Sequence, residues 1–107
     1  MAKVVFSPLA KEDLRQIWSY IYTENPKAAD DLIDAVFHFA EKFADFPKLG
    51  RDLGDVTAGL RSFPVAKSYV VLHRVTGRVV QILRLVHGQR DFDAIFDGFK
   101  DQGPPIS

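Results

Sequence analysis

The chain has no cysteine and a single methionine. Disulfides and thiolate chemistry are therefore excluded, and the cytoplasm is the expected compartment. Three histidines, His38, His73 and His87, are present but stand apart in sequence. Without cysteines or paired histidines, no metal site is expected, and no motif implies a cofactor. No apolar run approaches the roughly 18 residues that a membrane span requires. The opening Met-Ala-Lys-Val-Val-Phe runs directly into Ser7-Pro8 without a cleavage pattern, so neither a leader nor a membrane partner is expected. Net charge is also lacking, with 14 Lys/Arg against 14 Asp/Glu.

That neutrality hides a strong asymmetry. Residues 1–55 carry seven Lys/Arg and ten Asp/Glu, a balance of −3. Residues 56–90 hold Arg61, Lys67, Arg74, Arg78, Arg84 and Arg90 with no acid, a balance of +6. Residues 91–107 return to −3, with Lys100 against four aspartates. A basic module between acidic ones is a statement about partners rather than about fold.

A length of 107 residues with 47% apolar side chains and nine Phe suits one domain with a modest core. Lys3 to Phe6 reads as a short strand. Ser7-Pro8 then caps and opens a helix, because Ser accepts from free N–H groups and Pro at the first position loses none that is needed. Glu12 and Asp13 lie near its positive end, and Leu14, Ile17, Trp18 and Ile21 mark an apolar face. Asn25-Pro26 repeats the device. The second helix carries Ala29, Leu32, Ile33, Val36, Phe39, Ala40 and Phe43 and stops near Phe46-Pro47. Trp18 and the helical phenylalanines are expected in the core. With only Thr23-Glu24-Asn25 between them, the helices should form an antiparallel hairpin.

Lys48 to Gly59 reads as a loop. Strands are expected over 60–65, 69–75 and 78–87, with Thr76-Gly77 as a tight turn. Pro64 cannot donate to a ladder and marks an edge or a bulge. Both faces of the 69–87 hairpin mix apolar residues with Arg or His, so periodicity leaves its register open. Asp91 to Phe96 is read as a short helix. The expected order is β-α-α-β-β-β, an α+β domain spanning 1–97 with the helical hairpin on one face of a mainly antiparallel sheet. Residues 98–107 are read as a flexible tail.

Six phrases, in order, carry a resemblance to a known family. They are Phe6-Ser7-Pro8-Leu9-Ala10 with Asp13-Leu14, Tyr20-Ile21, Asn25-Pro26, Phe46-Pro47-Lys48-Leu49-Gly50-Arg51, Gly59-Leu60-Arg61-Ser62, and Ile82 through Asp91. Together they cover about residues 4 to 92 and resemble the ParE/RelE toxin superfamily. The Pro-Lys-Leu-Gly-Arg loop and Leu85-Val86-His87-Gly88-Gln89-Arg90-Asp91 are closer to the ParE branch, toxins of the plasmid-stabilisation type. The resemblance implies the toxin half of a type II toxin–antitoxin pair, neutralised by a cognate antitoxin whose acidic C-terminal segment wraps around it. It also implies DNA gyrase as target, inhibited by binding. The alternative branch, RelE-like, cuts messenger RNA on the ribosome.

Metal-free RNA cleavage needs a base, cations at the phosphorane and an acid. Arg61, Arg84 and Arg90 are candidate cations, and His87 is the candidate base. Aligned with RelE-like nucleases, Arg90 falls on a catalytic arginine, but Phe96 stands where they place a titratable aromatic, and a lysine-rich segment has no counterpart. The nuclease set is incomplete, so no catalytic residue is assigned outside that alternative. Arg51, Arg61, Lys67, Arg74, Arg84, His87 and Arg90 are instead expected to contact the target or the antitoxin. His87 can equally be a structural residue tied to a carbonyl, Asp91 a cap, and Arg51 a turn residue. A general nucleic-acid-binding sheet is disfavoured, because Phe63 and Tyr69 are its only aromatics. No sequence-specific DNA binding by the chain alone is expected.

Overall fold

The computed structural model describes residues 3–66 and 68–88. Within them lie β1 (Lys3–Phe6), α1 (Pro8–Tyr22), α2 (Pro26–Asp45), β2 (Arg51–Asp52), β3 (Arg61–Val65), β4 (Tyr69–Thr76) and β5 (Val79–His87). The strands form one sheet in the order β1-β5-β4-β3-β2. β1 runs parallel to β5, and the other pairings are antiparallel.

Both helices start as the capping chemistry dictates. Ser7 Oγ accepts from the Ala10 N–H at 3.0 Å and Asn25 Oδ1 from the Ala28 N–H at 3.1 Å, each ahead of a proline at the first turn. The hairpin then lays its apolar stripe on the sheet. Leu32, Val36, Ala40 and Phe43 of α2 bury against Val65, Val71, Val80, Ile82 and Leu85. A fully buried side chain of the Leu or Phe kind contributes about 1.5–3 kcal/mol, so this contact dominates the fold.

The opposite face of the sheet is covered as well. Leu53 and Leu60, from the segment after β2, pack with Leu72, Leu83 and Val86 as a second buried cluster. The stretch read from sequence as a plain loop is thus part of the core. It also contains a strand, since Arg51 and Asp52 pair with Ser62 and Arg61. Gly50 makes this approach possible. Its φ is +93°, and a Cβ there would sit 2.3 Å from the Ser62 carbonyl oxygen.

The β4–β5 ladder runs from Tyr69↔His87 to Thr76↔Val79, with an irregularity between Leu72 and His73. Leu72 faces Arg84 and His73 faces Ile82, which leaves Leu83 as one extra residue on β5, a bulge. That inserted residue shifts the alternation halfway along β5 and explains why periodicity could not settle the register. The turn is displaced by one from Thr76-Gly77. Gly77 and Arg78 form it, with Gly77 at φ +60° in the Gly-first pattern of a type II′ turn. Pro64 lies where β2 has already ended, so β3 is an edge strand there, as expected from its missing donor.

Trp18 is not in the core. It is only partly buried, stacks on Tyr22 with centroids 4.6 Å apart and donates to Asp30 Oδ1 at 3.2 Å. Phe39 and Phe43 do join the core, whereas Phe37 is 50% exposed. The helix expected over Asp91–Phe96 and the tail over 98–107 fall outside the described residues.

Candidate functional site

Among the described residues, Arg61, Arg74, Arg78 and Arg84 of the basic module do not make one free basic face. β1 stops at Phe6, opposite Ile82, so the outer edge of β5 beyond that point has no strand to pair with. Side chains and backbone of the α1 segment take over. The Ser7 N–H donates to the Ile82 carbonyl at 2.9 Å, and Ser7 Oγ donates to the Leu83 carbonyl, at the bulge, at 2.7 Å. Asp13 Oδ2 accepts from the Leu85 N–H at 3.0 Å. Arg84 Nε and Nη2 donate to the same carboxylate at 2.7 and 3.0 Å. Asp13 lies outside the first turn of α1, so it serves this edge rather than the helix dipole.

Arg61 is also engaged internally. Its guanidinium donates to the carbonyls of Leu49 and Gly50 at 3.3 and 2.9 Å and lies 3.7 Å from Asp52. It ties the turn after α2 to the sheet. Arg74 donates twice to Gln81 Oε1, at 3.2 and 3.1 Å, while its stem lies over Gly59. Arg51 on β2, Arg78 at the hairpin tip and His87 at the end of β5 are exposed. Lys67 and Arg90 lie outside the described residues. Of the expected contact residues, the structure therefore leaves Arg51 and His87 open to solvent, while Arg61, Arg74 and Arg84 hold neighbouring segments together.

His73 is fully buried, its ring stacked on Phe43 at 3.7 Å and nearly parallel. Neither ring nitrogen has a partner in hydrogen-bonding geometry. Burial lowers its pKa to about 4; the backbone of Val71 and Leu49 pulls the other way, and the Arg61 charge adds to the lowering. It is a neutral core ring. His87 instead sits against Tyr69, ring centroids 4.9 Å apart, rather than in a core socket.

Two concavities flank α1, and sequence reasoning missed both. Lys11, Leu14, Arg15 and Trp18 share one side of the helix. With Phe6, Ile33 and Phe37 they line an apolar groove of about 400 Å³ with a basic rim. Gln16, Ile17 and Tyr20 lie on the opposite side, since each residue advances the helix by about 100°. With Tyr69 and His87 they enclose a second cleft of about 330 Å³. The signal for the first was present in the sequence. Trp18 and Phe37 are large apolar residues on flanks of the hairpin that cannot both face the sheet.

The sequence profile of the ParE toxin of the type II toxin–antitoxin system parDE matches residues 4–92. The chain belongs to the ParE toxin family. The toxin is 34% identical over 98 residues to Toxin ParE3 of Caulobacter vibrioides, covering 88% of this chain and 94% of that protein. It is also 34% identical over 90 residues to Toxin RelE2 of the same organism, covering 84% and 99%. Among solved structures it resembles the chromosomal ParDE toxin–antitoxin system from P. aeruginosa with a TM-score of 0.65 and 19% identity, over 83% of this chain and 98% of that one. That likeness establishes the shared α+β fold of the toxin. No helix among the described residues is long and apolar enough to cross a membrane.

Proposed function

We propose that this toxin of a type II pair acts in the cytoplasm as a stoichiometric inhibitor of DNA gyrase rather than as a nuclease, and is held inactive by an acidic segment of its own antitoxin. The observation that carries the reading is the engagement of Arg61 and Arg84. A phosphoryl-transfer site needs cations preorganised toward the substrate's developing charge. Here one guanidinium is spent on backbone carbonyls and the other on Asp13. Arg51 on β2 and Arg78 at the hairpin tip are exposed, and they suit steering toward an anionic surface.

The apolar groove between α1 and α2 is the antitoxin's seat in this reading. Phe6, Leu14, Trp18, Ile33 and Phe37 offer an aromatic-rich floor for one face of an amphipathic helix. Lys11 and Arg15 on its rim complement acidic residues beside that face. Inhibition of supercoiling by the purified toxin, with messenger RNA intact on translating ribosomes, is the expected result. Cleavage of messenger RNA in the ribosomal A site without any effect on supercoiling would give the function to the RelE-like branch, which the similarity to Toxin RelE2 keeps as the second reading.

A further inference from the structure

The second cleft has a chemistry to which the proposed function gives no role. Asp13, Gln16, Ile17 and Tyr20 recur at the spacing of one helical face. The Asp13 clamp on Arg84 and Leu85 docks that face against the first rung of the β4–β5 ladder, Tyr69↔His87. The result is a cleft of about 330 Å³ walled by three rings. Tyr20 is 75% exposed and pairs with no other ring among the described residues, so packing of the fold does not account for it. Tyr69 and His87 form the facing wall, with ring centroids 4.9 Å apart and planes tilted by 53°.

We propose that the Tyr20–Tyr69–His87 cleft binds a single nucleobase, presented by a free nucleotide or by an unpaired strand. Aromatic walls with a few convergent polar groups are the usual make-up of a small-ligand site, and this one is of the usual size. Unstacked bases are held by stacking on such rings and by hydrogen bonds at their edges. The edge groups are present. Gln16 Nε2 donates to Glu12 Oε1 at 2.9 Å, and since a carboxylate only accepts, the Gln16 oxygen is left to accept from a ligand. Burial, and then the neighbouring Tyr20 hydroxyl, pushes the Tyr69 phenol above its ordinary range, so it stays a donor. His87 can serve in either sense. Among the described residues no carboxylate lines the cleft, and the nearby Asp13 is already paired with Arg84, so a phosphate attached to the base meets no fixed negative charge from them. A purely apolar side chain is a poorer occupant, because it would desolvate these polar tips without pairing them.

The test is a titration of the full-length toxin with adenosine, AMP and short single-stranded oligoadenylate RNA, following the ring resonances of Tyr20, Tyr69 and His87. All three ligands should shift the three rings. Tighter binding of the oligonucleotide identifies a strand as the source, and equal binding of AMP a free nucleotide. Tyr20→Ala should weaken binding about tenfold or more, and Tyr20→Phe should largely retain it. Tyr20 is exposed, so these variants keep the fold, and His87→Ala supplies an independent loss. Three results would overturn the proposal: no ring shift with any of the three ligands, unchanged binding by Tyr20→Ala, or tighter occupation of the cleft by N-acetyl-phenylalanine amide than by adenosine. None of these depends on gyrase being the target.

Discussion

Asp13 and Arg84 stand 71 positions apart and are joined by two hydrogen bonds, of 2.7 and 3.0 Å. The same carboxylate takes the Leu85 N–H, so one acidic side chain on α1 completes the edge of β5 that β1 leaves unpaired. Removing one partner of a well-buried pair costs about 3–5 kcal/mol, and this pair, which retains some contact with water, should cost about 2–3. Asp13→Ala is expected to be the worse variant, because it strands both the guanidinium and a backbone donor. Arg84→Ala should cost less, since Asp13 keeps Leu85. Urea unfolding measures both. Changes below about 0.5 kcal/mol in each would reduce the pair to an ordinary surface contact. A loss of toxicity in Arg84→Ala must therefore be read together with its stability before it is ascribed to target contact.

Ser7 joins the same edge through a different link. It is buried, caps α1 by accepting from Ala10, and donates to the Leu83 carbonyl at the bulge. Ser7→Ala removes an N-cap worth about 1 kcal/mol and leaves a buried carbonyl short of its partner, about 1 kcal/mol more. A total near 2 kcal/mol is expected in the same unfolding experiment. Ser7→Thr should recover most of it. If Ser7→Ala unfolds at the wild-type midpoint, the bulge does not depend on this hydroxyl.

These two residues show how far the sequence could be read. Ser7-Pro8 and Asn25-Pro26 announced both helix starts, because capping is local chemistry. The α2 stripe from Ala29 to Phe43 announced its buried face, because helical period is local as well. Asp13 looked like a dipole residue, and Arg84 like a free cation in an acid-free stretch. Their pairing depends on where β1 ends and β5 continues, which no local pattern encodes. The basic module of residues 56–90 was real as composition, but a sheet sends alternate residues to opposite faces, and the bulge at Leu83 changes which. Arg61, Arg74 and Arg84 thus went to three separate structural tasks. The cleft at Tyr20 escaped notice because its walls come from α1, β4 and β5, each contributing one ring.

His73 gives the fold a pH dependence whose sign follows from its environment. In the folded chain its pKa is lowered to about 4, against 6.5 when exposed. The unfolded chain therefore takes up a proton at a pH where the folded chain still refuses it, and stability falls as pH drops from about 6.5 toward 4. Above 6.5 the residue contributes no pH dependence. Two and a half pH units correspond to at most about 3 kcal/mol. His73→Phe keeps a flat ring against Phe43 and cannot titrate, so its unfolding free energy should lose that slope while other acid-sensitive groups keep theirs. Identical pH profiles for the two proteins between pH 6.5 and 4 would show that His73 is not held neutral.

Phe37 tests the antitoxin's seat. It is half-exposed on the flank of α2, with its ring 5.4 Å from that of Phe6 across the floor of the apolar groove. Because half of its surface already faces water, Phe37→Asp should leave the fold and the toxicity intact. A charge set in the middle of an apolar interface should nonetheless cost binding at least about 2 kcal/mol, the scale of a central anchor residue, or about thirtyfold in affinity. Co-expression with the antitoxin should then fail to rescue growth. Lys11→Glu on the rim should act more weakly, mainly through the association rate, and its effect should fade as salt is raised. Full neutralisation of Phe37→Asp at the wild-type affinity would place the antitoxin elsewhere on the molecule and leave the apolar groove without its proposed occupant.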